Sequence, residues 1–295
     1  MLYKLDNCPV CGSTKHQPFL SCKDYTVSQE TFQINSCVDC GFKFTNPRPS
    51  DETIGKYYKS EDYVSHTNTK KGLINRLYHL VRSYTLKKKL SLIESYVSRG
   101  TILDYGCGTG MFLATCKEAG WKSYGFEPDS DARKIATSQG LDVHTTKLDL
   151  SSKLAGGKLD VITMWHVLEH VTDLDETLTF FKNNLHQNGT LIIAVPNYTS
   201  WDAMHYKEFW AGYDVPRHIY HFNLDSVSRL LSKFGFKHES SLPMKFDSYY
   251  VSMLSEKYRT GSIRYLSAFI NGLRSNLKAK DPNSYSSVIY VFKKA

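Results

Sequence analysis

The chain has 295 residues, 41% of them hydrophobic, enough to bury a full core and to carry more than one domain. No apolar run approaches the ~20 residues that a membrane-spanning helix needs, so no such helix and no membrane partner are expected. The formal net charge of +8 leaves nucleic acid, anionic sugars and membrane surfaces open as partner classes. The opening Met-Leu-Tyr-Lys-Leu-Asp runs at once into Cys8-Pro9 and does not read as a signal peptide, so the expected location is cytoplasmic.

Four of the seven cysteines form two knuckles, Cys8-x-x-Cys11 and Cys37-x-x-Cys40, each followed by glycine. Four thiolates grouped in this way suit one tetrahedral Zn²⁺ at about 2.3 Å. The glycines let each turn curl so that backbone N–H groups face sulfur. A cytoplasmic chain disfavours structural disulfides, and a thioredoxin-like site needs a single C-x-x-C in a βαβ setting. We therefore read Cys8, Cys11, Cys37 and Cys40 as structural zinc ligands with no open coordination position. Phe32-Gln33-Ile34-Asn35 alternates like a strand leading into the second knuckle. Asn46-Pro47-Arg48-Pro49 closes the module, since proline blocks helix or sheet continuation, and sets residues 1–46 as a ribbon.

Residues 47–99 read as a linker and helical cap. A short helix near 51–58 would be capped by Ser50 or Asp51. A tyrosine-rich stretch with Tyr58, Tyr63 and His66 follows, then a polar patch to Lys71. Apolar residues recur from 73 to 86 with a helical period, predicting a helix over about 72–98 that packs on the sheet. Lys87-Lys88-Lys89 reads as its solvated face.

Ile102-Leu103-Asp104-Tyr105-Gly106-Cys107-Gly108-Thr109-Gly110 is a buried strand turning through three alternating glycines into a helix. Such a turn holds a nucleotide-like cofactor against the backbone. The dinucleotide fingerprint G-x-G-x-x-G requires glycine at 111, where Met111 stands. Glu127 follows at the end of a second strand, placed to accept from ribose hydroxyls. This D-x-G-x-G-x-G pattern resembles motif I of the class I S-adenosylmethionine (SAM) methyltransferases. Zinc ribbon, Pro-Arg-Pro, tyrosine-rich segment and motif I in this order resemble a group of bacterial zinc-ribbon methyltransferases.

The resemblance implies an α/β fold: a Rossmann-like seven-stranded sheet with the last strand antiparallel, spanning 100–295, behind an N-terminal zinc ribbon. It implies SAM as cofactor and S-adenosylhomocysteine as product. Asp104 would accept from the cofactor ammonium, while Gly106, Cys107 and Gly108 admit its methionine and ribose portions. Gly110 would bring the next helix close to the sheet. Glu127 would bind ribose, with Phe126 and Pro128 flanking it and Leu148 edging the adenine pocket. In that group the tyrosine-rich segment folds over the cofactor, which assigns Tyr58, Tyr63 and His66 to its methionine end.

The alternation of strands and helices over 101–195 independently argues a parallel sheet with ligands at its carboxyl ends. Asp160 to Val171 is similar to the fourth-strand block of the superfamily, placing Trp165 and His166 against SAM. His166, Glu169 and His170 share one face if a helix begins there. In ubiquinone-pathway and small-RNA methyltransferases a related acid-x-x-Glu-His group holds a divalent metal; here His166 replaces the first acid. His166 otherwise reads as a general base or substrate contact, and Glu169 and His170 as its hydrogen-bonded support.

Residues 197–222 form an aromatic insertion expected to roof the substrate pocket, and Arg217 to Phe222 resembles an H-x-x-x-F block of the same group. His218 is its substrate-side histidine, and with His166 it completes the catalytic candidates. Asn223 should cap a helix through Lys233, followed by a strand near 236–242, a helical insertion at 248–278 and a final strand at 285–293. The expected function is methyl transfer to a small-molecule or sugar-type acceptor, on oxygen. The alternatives are an RNA methyltransferase that uses the ribbon to bind RNA, and a non-catalytic SAM-binding regulator.

Overall fold

The computed structural model describes residues 2–58, 73–154 and 156–295, and of residues 73–80 the backbone only. Tyr63 and His66 lie outside the described residues. In chain order the ribbon region holds β1 (Leu2–Tyr3), β2 (His16–Lys23), β3 (Thr31–Cys37), β4 (Lys43–Thr45) and β5 (Arg48–Pro49). A 3₁₀ turn at Ile54–Tyr58 follows where the sequence predicts a short helix, and then comes α1 (Leu73–Tyr96). The alternating region runs β6 (Thr101–Tyr105), α2 (Met111–Glu118), β7 (Lys122–Phe126), α3 (Ser130–Ser138), β8 (Val143–His144), α4 (Lys147–Leu154), β9 (Leu159–Trp165), α5 (Leu174–Asn184) and β10 (Leu185–Pro196). The remainder is α6 (Trp201–Tyr206), β11 (Tyr220–His221), α7 (Leu224–Ser232), β12 (Phe236–Pro243), α8 (Asp247–Thr260), α9 (Tyr265–Lys278) and β13 (Ser287–Lys294).

The main sheet has seven strands in the order β12, β13, β10, β9, β6, β7, β8. β13 runs antiparallel to both its neighbours, and the ladders from β10 to β8 are parallel. This is the expected sheet with its last strand antiparallel. Its central strands are continuous apolar runs, as helices on both faces demand: Leu191 to Val195 of β10 have no exposed surface. Asn223 caps α7 with a full capping box, its side chain accepting from Ser226 N–H while the Ser226 hydroxyl accepts from Asn223 N–H. The helical insertion expected at 248–278 is a hairpin of two helices, broken at Gly261 with φ +77°.

The ribbon sheet contains a strand from far along the chain. Its order is β11, β4, β3, β2, with β11 pairing antiparallel to β4. Thr45 N–H donates to the Ile219 carbonyl at 2.9 Å, and the Thr45 hydroxyl donates to the His218 carbonyl at 2.9 Å. Phe42 and Phe44 of the ribbon pack with Ile219, Tyr220 and Phe222 in one apolar core shared with the main sheet. Arg217, 2% exposed, donates to Asp24 of the ribbon at 3.0 Å and to Asp214 at 2.6 Å. Those two carboxylates hold the guanidinium above its usual pKa against the opposing effect of burial.

Candidate functional site

The glycine turn leaves β6 at the carboxyl edge of the sheet. Gly106, Gly108 and Gly110 all have positive φ, at +76°, +55° and +81°. Their tasks differ. A Cβ on Gly106 would lie 2.5 Å from Val167, and one on Gly110 would lie 2.4 Å from Leu141, so both are small for packing. Only Gly108 faces open space, with nothing within 4 Å of a Cβ built there. This is the cradle that a cofactor backbone contact requires.

Glu127, at the end of β7, turns back to the cradle. One carboxylate oxygen accepts from Gly108 N–H and the other from Asp129 N–H, both at 2.8 Å. Each oxygen keeps a second lone pair for a ribose hydroxyl. Burial pushes its pKa up, against the hydrogen bonds from Asp129 and Gly108. Asp104 is buried and accepts from the Thr163 hydroxyl at 2.7 Å. Burial pushes it up to about 6, with Thr163 and Lys89 opposing.

Lys89 belongs to this site, although the sequence reading placed it on a solvated face. Its ammonium lies 4.2 Å from the centre of the Trp165 ring, and burial lowers its pKa while Asp104 and Asp247 raise it. Residues 86, 90 and 93 of α1 form its packed face, and 89 falls on the same face at helical spacing. That spacing was the available signal. Asp247, the first residue of α8, was also missed; nothing in its local sequence marks it.

Trp165 ends β9, edge-on to Phe112 at 5.4 Å. His166 then adopts φ +56°, a conformation uncommon for a non-glycine residue. No helix begins here; a 3₁₀ turn at Leu168–His170 follows instead. The left-handed step swings His166 between two carboxylates. Nε2 lies 3.0 Å from Asp247, and Nδ1 lies 3.4 Å from Glu169. Burial alone would lower its pKa, but Asp247 and Glu169 carry it up to about 10, so the ring is an imidazolium.

His218 approaches Glu169 from the segment just before β11, with Nε2 4.0 Å from Glu169 Oε1. Its Nδ1–H donates to the Gly212 carbonyl at 2.9 Å, so Nε2 is the nitrogen turned toward Glu169 and toward Asp214, whose Oδ2 also lies 4.0 Å away. His170 is oriented in the same way. Its Nδ1–H points at the Arg217 carbonyl, 3.0 Å away, and also lies 3.0 Å from the Tyr58 hydroxyl. Burial and then His218 lower His170 to about 4, so it is neutral. Both Glu169 oxygens are buried without a donor in hydrogen-bond geometry. One acceptor atom each of Glu169, His170 and His218 fall within 4.8 Å of one another. Such a trio receives a proton donor or a cation. The sequence groups Glu169 and His170 with His166; Nδ1 of His166 lies 3.4 Å from Glu169, while its Nε2 is taken by Asp247.

Other predicted residues sit around this edge. Phe126 stacks on Tyr105 at 4.3 Å beneath Glu127. Cys107 is buried against Gly125. Pro128 and Leu148 are exposed on the outer side. The aromatic insertion packs inward: Tyr206, Trp210 and Tyr213 join Phe32 and Ile34 of the ribbon in one core, while His218 and Asp214 of this segment turn to the site. In the ribbon, Cys8 Sγ lies 3.6 Å from Cys40 Sγ and Cys11 Sγ 3.5 Å from Cys37 Sγ. Four sulfurs about 2.3 Å from a tetrahedral ion stand ~3.8 Å apart, so the cluster fits a zinc ribbon.

A seven-stranded sheet with this strand order, an open glycine cradle and an acid at the end of the second strand define a nucleotide-cofactor transferase of the methyltransferase type. A family model described as a methyltransferase domain matches residues 78–241, and the chain belongs to that family. It is 28% identical over 147 residues to a protein of Geobacillus kaustophilus named only as a methyltransferase, covering 46% of this chain and 68% of that one. It is 27% identical over 152 residues to the ubiquinone biosynthesis O-methyltransferase of Rickettsia typhi, covering 49% of this chain. The match spans 61% of that enzyme's length. The magnesium protoporphyrin IX methyltransferase of Synechocystis, solved with S-adenosylhomocysteine, shares the fold with TM-score 0.52 at 15% identity, over 83% of this chain and 100% of that one. The protein is a SAM-dependent methyltransferase.

Proposed function

We propose that the enzyme methylates a hydroxyl of a small-molecule or sugar-type acceptor and that His218 takes the hydroxyl proton. The observation that carries this reading is the fixed tautomer of His218, whose Nδ1–H is committed to the Gly212 carbonyl. Its Nε2 lies 4.0 Å from both Glu169 and Asp214, carboxylates that favour the imidazolium that proton uptake creates. His166 is already an imidazolium and serves as a fixed positive charge, not a base. When bound, SAM supplies a methyl group on a sulfonium that leaves as S-adenosylhomocysteine.

The chain's own work is alignment, which contributes roughly 7–11 kcal/mol in well-oriented reactions. Glu127 holds ribose, and the open Gly108 and neighbouring Cys107 backbone receive the cofactor. Asp104 orients its ammonium, and Trp165 covers the methyl-bearing end. Phe126, Pro128 and Leu148 border ribose and adenine, and Tyr58 closes the side at His170. In this reading 1–46 is a zinc ribbon held by Cys8, Cys11, Cys37 and Cys40, 47–99 a cap and 100–295 the transfer domain.

The all-acceptor character of Glu169, His170 and His218 favours one second reading, a divalent cation there that lowers the hydroxyl's pKa. SAM turnover assays with and without added Mn²⁺, on protein freed of loosely held metal while its ribbon zinc is verified by elemental analysis, separate the two: full activity without added Mn²⁺ leaves His218 as the base. Of the ribbon aromatics, Phe32, Phe42 and Phe44 are buried and unavailable for base stacking, while Tyr3 and Phe19 are exposed. Substituting His218→Asn tests the main reading. Turnover should fall about 10²–10⁴-fold with SAM affinity unchanged, whereas unaltered turnover would remove His218 from the mechanism.

A further inference from the structure

The hairpin of α8 and α9 is packed inside out. In α9 the buried residues are Ala268, Asn271, Gly272 and Ser275. The residues facing outward are Leu266, Phe269, Ile270, Leu273 and Leu277, with Leu266 and Leu277 each 75% exposed. Spacings of three and four place these five on one stripe, opposite the small polar face. α8 follows the same rule, burying Ser248, Ser252, Ser255 and Glu256 while Tyr250 stands exposed. Close contact of the two helices explains the small residues, since a Cβ on Gly272 would lie 2.8 Å from Tyr249. It does not explain the apolar stripe. A helix that hides its polar face and shows its apolar one has a partner for the apolar face.

Charge selects the partner. Lys245, Lys257, Arg259, Arg264, Arg274, Lys278 and Lys280 are all exposed on or beside the hairpin. Over the same stretch the acids are Asp247, bonded to His166, the buried Glu256, which pairs with Arg259 at 2.8 Å and so removes that one cation from the rim, and Asp281. An isologous contact with a second copy would set this basic rim against itself. A surface of anionic lipid matches both features, with acyl chains for the stripe and phosphates for the rim. A groove of about 530 Å³ beside the stripe, lined by Arg264, Tyr265, Leu266, Ile270 and Arg274, offers two guanidinium groups next to apolar side chains.

We infer that the α8–α9 hairpin is an interfacial docking surface by which the enzyme sits on anionic membranes, its apolar stripe in the lipid and its basic rim on the phosphates. No helix among the described residues is long and apolar enough to cross a membrane, so the attachment is to one leaflet. α8 begins at Asp247, the partner of His166, so docking sets the transfer site close to the lipid surface. The inference does not depend on which acceptor is methylated.

Co-sedimentation of the full chain with vesicles tests it. Vesicles of equal parts phosphatidylcholine and phosphatidylglycerol should retain the protein at least about tenfold better than phosphatidylcholine alone. Raising salt from about 0.1 to 1 M should weaken the difference as the Debye length shrinks from ~10 to ~3 Å. Leu266→Ser with Leu273→Ser and Leu277→Ser should abolish retention while the melting temperature and SAM binding stay as in the wild type, because these side chains are exposed on the stripe. Arg274→Glu with Lys278→Glu keeps the stripe and should remove the anionic preference. Wild-type protein that stays in the supernatant at low salt would overturn the inference. So would a concentration-dependent dimer, seen by sedimentation velocity, that the triple serine variant dissolves while vesicles bind neither form.

Discussion

His218 owes its role to what its neighbours do with its other nitrogen. The Gly212 carbonyl takes Nδ1–H, and the carboxylate of Glu169 waits beside Nε2. His166 has the opposite fate, because the left-handed step after β9 delivers it between Asp247 and Glu169. At the cofactor cradle, Gly108→Val would put a branched Cβ at φ +55° into the one glycine position left open for a ligand. We predict loss of SAM binding by calorimetry with an unchanged far-ultraviolet dichroism spectrum; full affinity in the folded variant would contradict the cradle assignment. Lys89 is the nearby cation that a carboxylate of the cofactor would meet. Lys89→Met should weaken SAM binding about tenfold, or ~1.4 kcal/mol, in the same titration.

At the level of elements, the patterns that were legible are those in which local chemistry decides the structure. Three alternating glycines, an acid at a strand end and Asn223 with Ser226 three residues on each act within a few residues, and each takes the backbone position expected, although Gly106, read as admitting the cofactor, is small for packing against Val167. Asn223→Ala removes the capping box of α7 and should lower unfolding free energy by about 0.5–2 kcal/mol with an unchanged urea m-value. What was not legible depends on partners distant in sequence. Lys89 reads as solvated in isolation and turns inward only because α1 packs beside Trp165. The 166–170 segment has helical spacing but becomes a left-handed step and a single 3₁₀ turn, with the Glu169 carbonyl taken by the insertion, where it accepts from Ile219 N–H. The aromatics of 197–222 read as a pocket roof because the ribbon surface that receives them cannot be inferred from that segment.

Across the whole molecule, the ribbon and the transfer site are one assembly. β11 completes the ribbon sheet, Thr45 holds the His218 carbonyl, and Arg217 ties the same segment to Asp24. Cys37→Ser should therefore lower turnover as well as the melting temperature, although the cysteines lie outside the site; a variant with wild-type turnover at a temperature where it is folded would separate the two. Charge also shapes stability across pH. His221 is buried beside Thr45 and kept neutral, its pKa far below the ordinary value. The unfolded chain therefore binds an extra proton as pH falls below about 6.5, and stability falls with it. His166 works in the other direction: raised to about 10, it contributes stability in full below about 6.5 that is lost as pH rises through 10. Melting temperature against pH should thus peak near neutrality, and His221→Asn should make the acid limb shallower without touching the alkaline one, the remaining acid slope coming from His170, which burial and His218 lower to about 4.

The most direct test of the central claim is transfer of labelled methyl from SAM into a pool of hydroxyl-bearing metabolites, comparing wild type, His218→Asn and Gly108→Val under one condition. We predict labelled ether product from the wild type, about 10²–10⁴-fold less from His218→Asn at equal SAM occupancy, and none from Gly108→Val. Label on nitrogen or carbon acceptors, or equal product from wild type and His218→Asn, would contradict the account.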